Sequence, residues 1–101
     1  MKMLMIVSRS SLLDDLLGLL AELGVNASTQ LPEVHGQGEA GSALGTFANP
    51  GSNSVVLAAV DDGAAERVAG ELRAFRDRNA TRQRGAQIPL RVFVLPCTQV
   101  V

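Results

Sequence analysis

Three short segments of this chain are apolar at nearly every position, and only two other segments can form helices to cover them. The runs Met3-Leu4-Met5-Ile6-Val7, Val55 to Val60 and Val92-Phe93-Val94-Leu95 show no alternation of polar with apolar residues. A strand with one wet face alternates, so a continuous run predicts burial on both faces. Helical periodicity appears twice. Leu12, Leu16, Leu19, Leu20 and Leu23 make one stripe, widened by Leu13 and Leu17, and Ala65, Val68, Ala69, Leu72 and Phe75 make the other. Two helices cover one side of a small sheet. The other side would present roughly several hundred Å² of apolar surface, more than a soluble monomer usually exposes, so further copies of the chain are expected to cover it.

The order of segments gives the topology. After the first strand, Ser11 with Asp14 three residues on suits a capping box, and Gly24 stands where the helix should stop. Val25–Leu31 reads as a weaker strand. Residues 32–53 hold Gly36, Gly38, Gly41, Gly45 and Gly51 between Pro32 and Pro50 and have no apolar period. They are expected to form a long flexible loop, far beyond the usual connection of about 4–6 residues. A strand over Ser54–Val60 follows. Asp61 and Asp62 then open a second helix that ends near Arg76 and Arg78, where charge suits the dipole. Residues 79–87 read as a polar loop before the last strand, Leu90–Leu95. The expectation is a single domain over 1–101 of the α+β class. It is a ferredoxin-like βαββαβ unit with a four-stranded antiparallel sheet, two helices on one face, and the long loop between strands 2 and 3.

Composition removes several functions. A net charge of −1 gives no bulk attraction to nucleic acid or to an anionic membrane. Three Phe with no Trp or Tyr leave no platform for stacking bases. The one cysteine, Cys97, cannot form an internal disulfide, which fits a reducing compartment. The first apolar run is only a strand long and carries Lys2, unlike a signal peptide, and no stretch approaches the ~20 apolar residues of a membrane span. A cytoplasmic protein with no direct membrane insertion is expected. There is no nucleophile elbow and no P-loop, and the paired acids Asp14-Asp15 and Asp61-Asp62 are explained by helix starts. The chain is therefore expected not to be an enzyme.

The run Glu33-Val34-His35-Gly36-Gln37-Gly38-Glu39-Ala40-Gly41 resembles the base of the large loop in PII nitrogen-regulatory proteins, E-V-x-G-x-G-R-Q-x-G. Met5-Ile6-Val7 followed by Leu13-Asp14-Asp15-Leu16 is similar to that family's first strand and helix. The ending Val92-Phe93-Val94-Leu95-Pro96-Cys97-Thr98 resembles the related CutA proteins. The resemblance implies a homotrimer with three clefts between subunits. Each would take a small effector such as ATP, ADP or AMP, and residues 39–53 would meet a protein target, a transporter or an enzyme. Where the family has Arg and Gln this chain has Glu39 and Ala40, and Thr81-Arg82-Gln83-Arg84-Gly85-Ala86-Gln87 replaces its second phosphate loop. These differences point away from Mg-ATP with 2-oxoglutarate and toward another nucleotide or small anion.

On that resemblance the candidate ligand-binding residues are Gln30, Gly36, Gln37, Gly38, Glu39, Arg82 and Arg84. The glycines would let backbone N–H groups approach phosphate oxygens, and the guanidinium forks suit the same anion. Arg73, Arg76 and Arg78 read more simply as a solvated helix end. An alternative is a CutA-like metal-binding protein using His35 and Glu39, with Glu33 and Cys97 as further candidate donors.

Overall fold

The computed structural model describes residues 1–38, 41–42, 52–82, 88 and 90–101. The elements run β1 (Lys2–Arg9), a 3-10 turn (Ser10–Leu12), α1 (Leu13–Glu22), β2 (Thr29–Val34), β3 (Gln37–Gly38), β4 (Gly41–Ser42), β5 (Asn53–Val60), α2 (Asp62–Arg82) and β6 (Leu90–Pro96). Four strands form one sheet in the order β2-β5-β1-β6, each antiparallel to its neighbours. This is the expected ferredoxin-like βαββαβ fold. The short strands β3 and β4 pair separately.

Both helices lie on one face. Leu4 and Ile6 of β1 and Val56 of β5 are buried with Leu16 and Leu20 of α1 and with Ala65, Val68 and Leu72 of α2. Strand alternation puts every second residue of β1 and β5 into this layer, and their burial alternates accordingly. The opposite face is apolar too. Across it run the rows Ala59–Met3–Leu95, Leu57–Met5–Phe93 and Leu31–Val55–Val7, read from the strand register. Phe93 is 49% exposed, Leu31 41% and Leu95 38%, so the described residues do not cover the helix-free face.

Several boundaries differ from expectation, each for a physical reason. The first helix has no side-chain cap from Ser11; the chain enters it through the 3-10 turn. The helix ends as expected at Gly24, with φ of +86°. The Gly24 N–H donates to the Ala21 carbonyl and the Val25 N–H to the Leu20 carbonyl, which is the Schellman pattern. Val25 thus belongs to the helix stop and packs on the core, so β2 starts later than expected, at Thr29.

Of the loop expected over 32–53, Pro32, Glu33 and Val34 lie inside β2, Gln37–Gly38 and Gly41–Ser42 form β3 and β4, and Asn53 opens β5, while 39–40 and 43–51 lie outside the described residues. Leu31 pairs with Val55 and Val34 with Asn53, so two residues oppose one in a bulge. A bulged edge strand tolerates Pro. The second helix is capped by Asp61, whose Oδ1 accepts the Ala64 N–H at 2.7 Å. It runs on to Arg82, past the expected end, because Asn79 continues the buried stripe and donates its Nδ2 to the Phe75 carbonyl at 2.8 Å. Among the described residues no helix is long and apolar enough to cross a membrane.

Candidate functional site

Strands β1 and β2 run toward one end of the sheet, and β5 and β6 run away from it. Arg9 pairs with Asn53, Asn53 with Val34, and Ser8 with Leu90 at that end. Because α2 returns the chain from the far end of β5 to the start of β6, Arg82 finishes there too. Topology therefore brings the base of the Gly-rich stretch, the end of α2 and the start of β6 to the same end.

Alternation then selects the face. Ser8 and Ser54 point to the helix layer and are buried. Arg9 and Asn53, one residue away on each strand, fall on the helix-free face. Arg91 pairs with Val7 and lies on that face as well. It is a diagonal neighbour of Arg9, a relation that in sheets puts side-chain roots about 7–8 Å apart. Gly36 completes the group, since a Cβ on it would stand 3.6 Å from Asn53 Nδ2.

The chemistry of this corner is one-sided. Two guanidinium forks and a carboxamide supply N–H donors, and among the described residues no acid stands at a paired position on this face, the exposed Glu33 lying in the bulge of β2 beside it. Among the described residues Arg9 and Arg91 make no ion pair; the two that form join the terminal amine to Asp62 and Arg76 to Asp77. If other subunits cover this face, two bare cations become partly buried. Removing water from them is unfavourable unless an anion is supplied. The arrangement suits a phosphate or carboxylate group.

The expected site residues are distributed unevenly around this corner. Gly36 belongs to it. Gln37 and Gly38 follow directly as β3. Gln30 does not join it: it pairs with Val56 on the helix side of the sheet, and its Nε2 donates to Ser28 Oγ at 2.9 Å. Thr29 is the β2 residue that faces the helix-free side. Arg82 ends α2 instead of lying in a loop, while Arg84 and Glu39 lie outside the described residues. His35 is exposed, and the described residues contain no group of three His, Cys, Asp or Glu able to hold a metal.

Arg9, Arg91 and Asn53 were not singled out from sequence. A signal existed, because Arg91 is the one polar interruption in the last apolar run. An open groove of about 690 Å³ lies near the other end, lined by Lys2, Asp62, Glu66, Arg73 and Val94. There the terminal amine, 3.0 Å from Asp62 Oδ1, hydrogen-bonds to that carboxylate and holds its pKa below the usual range. Its mixed charges make it a poorer anion site than the Arg9 corner.

A family model described as nitrogen regulatory protein P-II matches residues 1–101. Among solved structures, a PII-like signalling protein of Thermus thermophilus superposes with a TM-score of 0.65 at 19% identity, covering 92% of this chain and 82% of that one. CPII, a nitrogen regulatory PII-like protein of Thiomonas intermedia solved with ADP, AMP and bicarbonate, gives 0.65 at 17% identity, covering 97% and 88%. The same protein solved with ADP and bicarbonate gives the same values. At such identity these structures establish the shared fold. No curated protein matches the chain.

Proposed function

The chain belongs to the nitrogen regulatory protein P-II family, and from that membership we propose that it is a cytoplasmic ligand-sensing regulator, not a catalyst, assembled as a homotrimer. Its effector is a small anion, an adenine nucleotide in the first instance, held where subunits meet at the Arg9 corner. Arg9 and Arg91 take the phosphate oxygens, while the Gly36 backbone and Asn53 approach the same group. The stretch 39–53 then presents the outcome to a protein target, a transporter or an enzyme. Differential affinity of the ligand for one arrangement of that stretch supplies the switch.

The observation that carries this reading is the pair of guanidinium groups that make no ion pair among the described residues, on a mostly apolar face beside Gly36 and Asn53. A regulator of the same fold solved with ADP, AMP and bicarbonate supports the choice of ligand class. Calorimetry on the full chain with ADP, AMP and ATP, each alone and with bicarbonate, tests it. Binding of at least one nucleotide is expected, and Arg91→Ala should weaken it by about tenfold or more, the scale of a lost charge-assisted hydrogen bond. No heat with any of them, or an Arg91→Ala protein that binds as well, would contradict the proposal.

A further inference from the structure

Ser10 follows Arg9 directly and links the end of β1 to β2, two strands that the sheet does not pair. Its Oγ donates to the Pro32 carbonyl at 2.8 Å and accepts a bond from Ser52 Oγ at 3.0 Å. Its N–H donates to the Ser52 carbonyl at 3.0 Å. A hydroxyl has one proton, and a carbonyl can only accept, so the direction of both hydroxyl bonds is fixed.

The partners matter because of where they lie. Pro32 sits in the β2 bulge, which takes it out of the ladder with β5. Ser52 is the residue before β5. These are the two stems of the stretch 35–51, and β1 pairs with β5 but never with β2. Ser10 connects the end of β1 to both. Two rungs deeper, the buried hydroxyls of Ser8 and Ser54 face each other at 3.4 Å, so serine pairs flank the Arg9–Asn53 rung on both sides.

We infer that Ser10 is a positioning residue, which fixes the backbone of Arg9 and the spacing of the two stems so that Arg9, Gly36 and Asn53 meet an anion already arranged. The anion rests on the function proposed above; the fixing of the stems does not. Preorganisation of this kind raises affinity by removing the ordering cost at binding.

Amide exchange followed by mass spectrometry on the full chain without ligand reads the stems. Ser10→Ala should speed exchange in peptides covering 9–12, 31–36 and 52–56 by about tenfold, the effect expected for losing two neutral hydrogen bonds in a local opening. Ser52→Ala removes only one of the two and should give a smaller increase, whereas Ser10→Thr keeps both and should restore the unaltered rates. Peptides within 65–72 of α2 should exchange equally in all four proteins. Titration with ADP should show weaker binding for Ser10→Ala and recovery for Ser10→Thr. Stems that exchange alike in Ser10→Ala and the unaltered chain, a failure of Ser10→Thr to restore them, or an increase that spreads to α2 would overturn the inference. So would unchanged ADP affinity in Ser10→Ala. If the unaltered chain binds no ADP, the proposed ligand fails while the exchange rates still decide the role of Ser10.

Discussion

Gly24 shows how much one backbone angle decides. With φ at +86° it ends α1, aims Val25 into the core and so delays β2 to Thr29. No atom lies within 4 Å of where its Cβ would sit, so Gly24→Ala is penalised by backbone strain alone, about 1 kcal/mol. A denaturation midpoint lowered by that amount, with the slope unchanged, is the expected result. Gly24 and Gly36 were legible because glycine reports its own conformational use. Arg9, Arg91 and Asn53 were not, because a charged residue in a strand says nothing about its neighbours until the register is known. Only the pairing of Arg9 with Asn53 and of Val7 with Arg91 brings the donors together.

At the scale of elements, uninterrupted apolar runs and helical stripes were enough to place β1, α1, β5, α2 and β6. What they could not reveal were polar residues in structural roles. Asn79 fills a core position and satisfies itself on the Phe75 carbonyl, which hid the last turn of α2. Pro32 looked like the start of a loop, yet a bulge on an edge strand accommodates it and Ser10 satisfies its carbonyl.

The two faces of β5 offer a direct contrast. Val56 is fully buried under the helices, and Leu57 faces the other way with partial exposure. Val56→Ser should destabilise each subunit by roughly 2–4 kcal/mol, through a cavity and a buried hydroxyl. Leu57→Ser should leave the subunit fold intact and instead weaken self-association. Circular dichroism melts together with sedimentation over a concentration series separate these outcomes; the reverse assignment would mean that the helix-free face is not an interface.

For the whole molecule, everything functional depends on what lies against that face. The helix layer closes within one chain over Leu4, Ile6, Leu16, Leu20, Val56, Val68 and Leu72, all nearly inaccessible, and leaves Val94 on the edge strand 45% exposed. The opposite layer stops at half-buried Met3, Met5, Val7, Val55 and Leu57 and at exposed Phe93 and Leu95. On the function proposed above, covering it would turn Arg9 and Arg91 from solvated cations into an anion site at a subunit boundary, so assembly and ligand binding are one claim. Sedimentation velocity at micromolar concentration tests that claim most directly. The account predicts a species of three times the 10.6 kDa of one chain, and a single sharp boundary at the mass of one chain would contradict it.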